Sequence, residues 1–374
     1  MQIPNPCYLI EEHLLKKNLE LLARVQRQAD IKIILALKGF SMWKLFPQIK
    51  SYLSGATASS LNEARLIYEE MGCLAHTYAV AYMPEEFDEL LQYSSHLVFN
   101  SLQQYAYFKP TIDAYERRIS CGIRINPEYS EVETELYNPA AAGSRLGETK
   151  ENFINGLPQG IEGIHFHTLC ESDSYALEKT LTVIEQNFGH LLPHIKWINM
   201  GGGHLMTKKG YDLEHLIQLL KKFKAKHQLE IILEPGSAIV WETGDLHAKV
   251  LDIHDSKGIK TAILNVSFTA HMPDCLEMPY RPAIVNANEA GNGQYQYRLG
   301  GVSCLAGDYL EVYAFETPLS IGDTIVLKDM IHYTVVKTTM FNGVKHPAIA
   351  LRKEDGSIEV LREYDYQDYR NRMC

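Results

Sequence analysis

Eight short apolar segments alternate with helical stretches between about residue 30 and residue 240, and this alternation constrains the possible folds most strongly. The segments span 31–37, 54–58, 76–80, 96–100, 119–125, 161–167, 195–200 and 229–234. Between them lie amphipathic stretches such as 61–71 and 211–227, where apolar residues recur at helical spacing. Strands that alternate with helices in this way predict a (β/α)8 barrel. A doubly wound open sheet is the alternative fold.

After about residue 243 the pattern changes to β-rich segments separated by turn residues. These segments are HAKVLDIHDS (247–256), IKTAILNVSF (259–268), DYLEVYAFE (308–316), DTIVLKDM (323–330) and HYTVVKTTMF (332–341). We therefore expect an α/β protein with a barrel over 29–242 and a mostly antiparallel β-domain over 243–374. A strand from NPCYLI would join the second domain, before a helix over 11–28 leads into the barrel.

Composition and charge argue against several classes of protein. The sequence has no apolar run near the ~20 residues that span a bilayer. Its first residues lack the basic and apolar regions of a signal peptide, so we expect a cytoplasmic protein without membrane partners. The 7 cysteines form no CxxC pair, which disfavours a disulfide framework or a zinc cluster. The net charge of −10 disfavours nucleic acid as a partner.

Three predicted strands end in residues suited to chemistry at the barrel mouth, where barrel enzymes place their catalytic groups. Lys38 follows the first strand, and an amine against an apolar strand is suited to form a Schiff base. Three glycines at 201–203 follow the seventh strand, where backbone N–H groups can bind a phosphate. Glu234 ends the eighth strand and can pair with a protonated pyridine nitrogen. The alternatives are a solvent-exposed lysine, a flexible turn and a strand-end carboxylate paired with a basic residue.

His165 and His167 lie two residues apart on the predicted sixth strand, so their imidazoles share one face. An HxH pair is also found in zinc hydrolases of the amidohydrolase type. Those enzymes carry HxH on the first strand and Asp on the eighth. Here HxH lies on the sixth strand and Glu234 on the eighth, so a zinc hydrolase is the weaker alternative and we expect no metal.

The predicted β-domain carries a polar cluster of its own. The cluster contains HMPDCLE (271–277), SCLAGD (303–308), Tyr333 and FNG (341–343). The alternative to a functional role for Phe341-Asn342-Gly343 is a simple turn, since Asn-Gly is a strong turn dipeptide. The alternative for Cys304 is a small buried hydrophobic residue.

Together these features resemble the fold-type III pyridoxal-phosphate enzymes, the group that includes alanine racemase and the ornithine and diaminopimelate decarboxylases. Within this group the sequence is most similar to the carboxynorspermidine/carboxyspermidine decarboxylases. Five blocks carry that similarity, in order along the chain: ALKGFSMWKLFP, GSRLG, IHFHTLCE, SFTAHMPDCLEMPYRP and SCLAGD. The match extends from PCYLI at 6–10 to FNG at 341–343 and so covers nearly the whole chain.

The resemblance implies a homodimer with active sites at its interface, which uses pyridoxal 5′-phosphate to decarboxylate carboxynorspermidine, carboxyspermidine or both. Lys38 would hold the cofactor covalently, His167 would stack on its ring and Glu234 would pair with the ring nitrogen. The phosphate would be bound by Gly201, Gly202, Gly203, Gly236, Ser237 and Tyr333. Cys304, presented by the partner subunit, or Lys38 would return a proton to the substrate carbon.

A carboxypolyamine carries a secondary and a terminal ammonium group, and each needs an acceptor when it is desolvated. Asp274 is the first candidate, and Glu277 and Asp308 follow it. The full set of predicted substrate contacts is Glu234, His271, Asp274, Glu277 and Asp308.

The sequence also departs from the wider group. Ser237 stands where these decarboxylases usually carry Arg, and Thr57 aligns where they often carry Asp. Leu305 follows Cys304, whereas ornithine decarboxylases have Asp there and diaminopimelate decarboxylases have a Cys-Glu-Ser block. Another fold-type III decarboxylase of either type, or a racemase, remains the main alternative. A catalytically silent homologue that binds a decarboxylase is the weaker alternative, because retention of Lys38, His167, Glu234 and Cys304 together speaks against it.

Overall fold

The structure is a computed structural model that describes residues 2–278, 280–289 and 294–374. The chain divides into two units. One unit is Asn18–Ile239, and the other combines the residues before Asn18 with Val240–Cys374. The second unit resumes at Val240, beside the expected boundary at residue 242, whereas the first unit begins at Asn18 and not at the expected residue 29. Pro279, within the block SFTAHMPDCLEMPYRP, lies outside the described residues.

The strands fall into two sheets. The first strand of the chain and the strands of the first unit are β1 (Cys7–Glu11), β2 (Lys32–Ile33), β3 (Leu35–Ala36), β4 (Ala56–Ala58), β5 (Ala75–Tyr78), β6 (Ser94–Phe99), β7 (Ser120–Arg124), β8 (Ile161–His165), β9 (Trp197–Asn199) and β10 (Glu230–Leu233). The later strands are β11 (Gly244–Ser256), β12 (Ile259–Leu264), β13 (Ala287–Glu289), β14 (Tyr295–Gly300), β15 (Tyr309–Phe315), β16 (Thr324–Leu327), β17 (Ala348–Arg352) and β18 (Ile358–Arg362).

The helices lie mainly between the strands of the first unit. They are α1 (Glu12–Ala29), α2 (Phe46–Lys50), α3 (Leu61–Leu66), α4 (Pro84–Tyr93), α5 (Leu102–Ala114), α6 (Ser174–Phe188), α7 (Leu213–His227), α8 (Ser237–Val240), α9 (Phe268–His271), α10 (Pro273–Glu277) and α11 (Tyr366–Met373). Side-chain caps define several of their starts: Ser101 accepts from the Gln104 N–H at α5, and Asp212 accepts from the His215 N–H at α7. No helix of the described residues is long and apolar enough to cross a membrane.

The strands of the first unit form a parallel sheet in the order β2-β10-β9-β8-β7-β6-β5-β4-β3. The predicted first strand is divided at Ile34 into β2 and β3, which occupy the two ends of that order. The Ile34 N–H donates to the Leu233 carbonyl, and the Leu35 N–H donates to the Gly55 carbonyl. At this point the chain therefore passes from β2, which pairs with β10, to β3, which pairs with β4, and so joins the two edges of the sheet. The predicted barrel is confirmed.

A large aromatic residue fills the barrel one layer below the carboxyl ends of the strands. Trp197 of β9 is buried, and a Cβ on Gly163 or Gly122 would lie 2.1 or 2.3 Å from its ring. Glycine at these two positions of β8 and β7 therefore makes room for the indole. His76 and His96 stack on each other at 4.8 Å, and both meet the indole edge-on. Trp197, His76 and His96 therefore form a packed layer, here called the barrel floor, beneath the residues that end these strands.

The second unit is a sheet in the order β13-β15-β14-β12-β11-β1-β17-β18, with β16 paired to β11. β1 lies inside this sheet, antiparallel to β11 and parallel to β17. The pairing of β12 with β14 is also parallel, and the other pairings of the named strands are antiparallel. The predicted mostly antiparallel β-domain is confirmed.

One predicted strand of this unit is wrong. HYTVVKTTMF (332–341) forms turns, although Val, Thr and Tyr favour strands. Tyr333 adopts a left-handed φ of 32°, and its carbonyl accepts from the N–H groups of Val336 and Lys337. These local bonds use a backbone group that a sheet would need, so the tertiary fold overrides the strand preference.

Candidate active site

Lys38 lies directly after β3, in a turn that opens into a pocket at the carboxyl end of the barrel. The pocket is lined by Lys38, Thr57, Tyr78, Arg124, His165, His167 and Glu234, and by residues at or just after the ends of β3, β4 and β5. Lys38 is accessible from the pocket, but the dense protein around it limits hydration of its ammonium. This desolvation lowers the pKa of Lys38, and the Arg124 charge adds to the effect while Glu234 opposes it. A lysine with a lowered pKa is a competent nucleophile.

Glu234 follows β10, and its buried carboxylate is held by neutral donors. Its Oε1 accepts a hydrogen bond of 2.6 Å from Asn199 Nδ2, and the Thr57 side chain also donates to the carboxylate. Burial raises the pKa of Glu234, while the Asn199 and Thr57 bonds and the Lys38 charge act against that rise. The second oxygen, Oε2, is 3.7 Å from His165 Nε2. The Asn199 and Thr57 bonds therefore fix the orientation of the carboxylate.

His167 follows β8 and is neutral in this environment. Desolvation, followed by the charges of Lys38 and Arg124, holds the pKa of His167 well below its usual range. Its Nδ1 accepts from the Gly202 N–H at 3.1 Å, so the ring proton lies on Nε2. Arg124 donates to the His167 carbonyl at 3.2 Å and lies over the Tyr78 ring at 4.9 Å. These contacts fix both the orientation and the tautomer of the imidazole.

The glycine loop at 201–203 packs against the ends of β8 and β10. A Cβ on Gly202 would lie 2.5 Å from the Glu234 carbonyl, and one on Gly203 would lie 2.1 Å from the Leu169 carbonyl. The Gly201 N–H donates to Asn199 Oδ1 at 2.9 Å, and the Gly202 N–H donates to His167. Two of the three amides are thus bonded within the protein, where they orient side chains of the site.

Gly236 and Ser237 lie beside the turn that carries Lys38. A Cβ on Gly39 would lie 2.8 Å from the Gly236 Cα, so the two backbones approach as closely as glycine allows. Ser237 is buried. The lysine turn and the segment at 236–237 therefore form one continuous surface at the barrel mouth.

Asp274 and His271 are buried polar residues of the second unit. Asp274 Oδ2 accepts from the hydroxyl of Tyr280 at 3.1 Å and from that of Thr334 at 2.9 Å. Asp274 Oδ1 and His271 Nε2 are buried and have no hydrogen-bond partner among the described residues. Burial lowers the pKa of His271 to about 3, so this imidazole is neutral. One carboxylate oxygen is left to accept a bond from a ligand.

The other predicted acidic contacts have partners. Asp308 is buried and accepts from the N–H groups of Thr269 at 3.0 Å and Ser303 at 3.1 Å. Glu277 is exposed and pairs with Lys337. Asp308 therefore fixes the segment that precedes Cys304.

Cys304 is exposed, and its backbone is held by the Phe341-Asn342-Gly343 turn. The Cys304 N–H donates to Asn342 Oδ1 at 2.8 Å, and Asn342 adopts a left-handed φ of 56°. This turn therefore supports the cysteine, which is solvent-exposed rather than buried as a small hydrophobic residue would be. Tyr333 lies half-buried in the turns of 332–341.

Known proteins decide between the cofactor and zinc interpretations of this site. A family model described as the pyridoxal-dependent decarboxylase C-terminal sheet domain matches residues 105–331. A carboxynorspermidine/carboxyspermidine decarboxylase of Campylobacter jejuni is 42% identical over 379 residues, covering 98% of each chain. The chain belongs to the pyridoxal-dependent decarboxylase family. The predicted resemblance and the predicted enzyme class, a carboxy-lyase, are confirmed.

Two further relatives define where this pyridoxal-dependent decarboxylase lies within the family. A carboxyaminopropylagmatine decarboxylase of Synechocystis sp. is 50% identical over 372 residues, which cover 99% of this chain and 96% of the relative. The crystal structure of carboxynorspermidine decarboxylase complexed with norspermidine from Campylobacter jejuni is similar with a TM-score of 0.92. It is 41% identical and covers 99% of this chain and 100% of its own.

The pocket of this decarboxylase fits a pyridoxal cofactor. It contains an amine, a neutral imidazole and a fixed carboxylate, which are the groups that bind an aldehyde, a ring face and a protonated ring nitrogen. Ligand atoms of His165, His167 and Glu234 also lie within 4.8 Å of one another, a spacing that suits a metal ion. Family membership favours the cofactor at the same residues.

Sequence reasoning missed several residues of this pocket. Arg124 receives no role from the sequence, and His165 is considered only as part of the HxH pair. Asn199 was overlooked, although a polar residue that closes the apolar run WIN before three glycines is a detectable signal. Its spacing of two from Trp197 places it on the same inward face of β9.

Proposed function

We propose that this decarboxylase converts carboxynorspermidine, carboxyspermidine or both into norspermidine or spermidine, with pyridoxal 5′-phosphate held by Lys38. The pocket that joins Lys38, His167 and Glu234 carries this proposal, because its amine, imidazole and carboxylate suit the aldehyde, the ring face and the ring nitrogen of the cofactor. Two supporting observations are the Campylobacter jejuni relative of that name and the solved relative in complex with norspermidine. When bound, the cofactor supplies an electron sink for the electron pair left behind by CO2.

The residues of the barrel bind and orient that cofactor. Lys38, whose pKa is lowered by desolvation, provides the amine that binds it covalently. Glu234 holds a proton on the ring nitrogen, and His167 packs against the ring. Gly203, Gly236 and Ser237 would contact the phosphate, while Gly201 and Gly202 would act through the side chains that their amides bind. Tyr333, a residue of the second unit, is a further candidate phosphate ligand.

Protonation of the substrate carbon completes the reaction. Loss of CO2 leaves an electron pair on that carbon, and either the Cys304 thiol or the Lys38 ammonium returns the proton. Exposure of Cys304 on the surface of its unit supports its contribution across a homodimer interface. We propose a cytoplasmic homodimer in which each subunit completes the site of the other.

The polyamine tail of the substrate is recognised by acidic groups of the second unit. Asp274 offers one buried oxygen without a partner, which suits a desolvated ammonium group. His271 Nδ1 accepts from the Ser267 N–H at 3.2 Å, so the neutral imidazole carries its proton on Nε2 and contacts the substrate as a donor. Glu277 lies at the surface, where it pairs with Lys337. Asp308 contributes by fixing the segment before Cys304.

A second candidate substrate is carboxyaminopropylagmatine, which ends in a guanidinium group in place of an ammonium. The relative at 50% identity from Synechocystis sp. favours it. A guanidinium binds carboxylates best through two parallel hydrogen bonds. Asp274 uses one oxygen for two hydroxyl donors, so the geometry favours the ammonium substrates.

Two measurements test this proposal. Borohydride reduction of the cofactor-loaded protein, followed by peptide mapping, should place the cofactor mass on Lys38, and labelling elsewhere would contradict the assignment. Mass spectrometry of the reaction products should then identify norspermidine or spermidine. The kcat/KM for carboxynorspermidine or carboxyspermidine should exceed that for carboxyaminopropylagmatine. A kcat/KM that is highest for carboxyaminopropylagmatine would transfer the assignment to the second substrate.

A further inference from the structure

Asn199 lies at the centre of a bonded network beneath the pocket. It closes β9 and is fully buried. Its Nδ2 donates to Glu234 Oε1 at 2.6 Å and lies 3.2 Å from His76 Nε2, and its Oδ1 accepts from the Gly201 N–H at 2.9 Å. A single carboxamide therefore joins the end of β10, the glycine loop and the barrel floor.

The orientation of this carboxamide is fixed by its neighbours. The Gly201 backbone amide can only donate, so the atom that faces it is the Asn199 oxygen. The NH2 group consequently faces Glu234 and His76. Burial holds the pKa of His76 well below its usual range, so its neutral ring accepts at Nε2. Both hydrogens of the NH2 group thus have acceptors, and neither the amide nor the carboxylate can rotate without losing a bond.

We propose that Asn199 is a positioning residue that holds the Glu234 carboxylate toward the cofactor ring and ties it to the glycine loop. This inference rests on the proposed function, because it requires Glu234 to meet the ring nitrogen. Asn199 itself is fully buried and does not line the pocket. Its role follows from the chemistry of a carboxamide, which presents a donor and an acceptor side by side and carries no charge.

The charges around Glu234 explain why a neutral donor is needed at this position. The groups that face the carboxylate are Lys38 after β3, Thr57 on β4, Arg124 on β7, His165 and His167 at the end of β8, and Asn199 on β9. Both histidines are neutral, because burial lowers the pKa of each. Asn199 therefore adds stabilisation of the ionised carboxylate without a further charge in the pocket.

Substitution of Asn199 by Asp tests this role at almost constant volume. Asn199→Asp replaces the donor with an oxygen that faces Glu234 Oε1, so the two carboxyl groups share a proton and the pKa of Glu234 rises. We expect the dissociation constant of pyridoxal 5′-phosphate, measured by fluorescence titration, to increase about tenfold or more, as for loss of one charged hydrogen bond. The acid limb of the kcat profile should move to higher pH. Asn199→Ala should shift both quantities in the same direction by less.

Thr77→Val is the matched control. Thr77 lies on β5 and is fully buried, and its hydroxyl bonds to that of Ser94, away from Glu234. This variant should lower the melting temperature of the protein without a change in cofactor affinity or in the acid limb. Asn199→Ala keeps the test available if Asn199→Asp does not fold.

The outcomes separate this inference from the proposed function. Wild-type cofactor affinity and an unmoved acid limb in folded Asn199 variants would overturn the positioning role. A lower melting temperature alone, as in Thr77→Val, would show that Asn199 only stabilises the barrel and would also overturn it. Failure of the wild-type protein to bind pyridoxal 5′-phosphate would instead refute the proposed function.

Discussion

Replacement of Asp274 by Asn should weaken binding of the polyamine substrate without affecting the cofactor. Asp274→Asn preserves the shape of the side chain and leaves its carbonyl oxygen to accept from Tyr280 and Thr334, as Oδ2 does now. The buried position of Oδ1 then holds an NH2 group, which repels a substrate ammonium. The variant therefore removes one charge-assisted hydrogen bond and adds an unfavourable contact.

The size of the effect follows from the burial of this oxygen. A hydrogen bond to a charged group contributes about 1.5–3 kcal/mol, so kcat/KM for a carboxypolyamine should fall by about 10- to 100-fold. The fall should appear mainly in KM, because the bond is present in both the bound substrate and the transition state. Steady-state CO2 release over a range of substrate concentrations measures both constants.

Glu277→Gln is the comparison variant for this experiment. Glu277 is exposed and pairs with Lys337, and such surface pairs contribute about 0–1 kcal/mol. Its KM should change less than that of Asp274→Asn. An Asp274→Asn enzyme with wild-type KM would refute the assignment of Asp274 to the substrate site. A loss of cofactor affinity in that variant would show that Asp274 supports the fold of the site instead.

Three further substitutions test other parts of the account. Lys38→Ala should abolish turnover and covalent retention of the cofactor after borohydride reduction, and residual decarboxylation would contradict the assigned role. Cys304→Ala should lower kcat while the absorption spectrum of the bound cofactor stays unchanged, whereas wild-type kcat would exclude the thiol as proton donor. Gly163→Ala places a Cβ 2.1 Å from the Trp197 ring and should reduce the free energy of unfolding in urea by about 1–3 kcal/mol. Gly307→Ala, where a Cβ meets nothing within 4 Å, is its control, and equal stabilities would refute the packing argument.

The barrel was predictable because its strands are buried on both faces and therefore appear as short apolar runs. The division of the first run at Ile34 was not predictable, since it depends on hydrogen bonds to Leu233 and Gly55 from opposite edges of the sheet. The segment HYTVVKTTMF was wrongly predicted as a strand, also because backbone hydrogen bonds cannot be inferred from residue type. Strand preference describes the fit of side chains to a sheet, and at 332–341 the backbone bonds locally instead.

The site was predictable where strand position alone determines the chemistry. Lys38 and Glu234 follow different strands, and parallel strands of a barrel bring their carboxyl ends to one mouth. Hydrogen bonding within that mouth was not predictable. The three glycines suggested a phosphate site, but the amides of Gly201 and Gly202 bind Asn199 and His167, a detail that requires atomic positions.

Release of CO2 by the purified protein, loaded with pyridoxal 5′-phosphate, tests the central claim most directly. Carboxynorspermidine and carboxyspermidine should be offered beside carboxyaminopropylagmatine, diaminopimelate, ornithine and lysine at equal concentrations. We expect rapid release from one or both of the first two substrates and little from the amino acids. Rapid release from diaminopimelate, ornithine or lysine would contradict the proposal that this decarboxylase acts on a carboxypolyamine. Absence of CO2 release from every compound would contradict it as well.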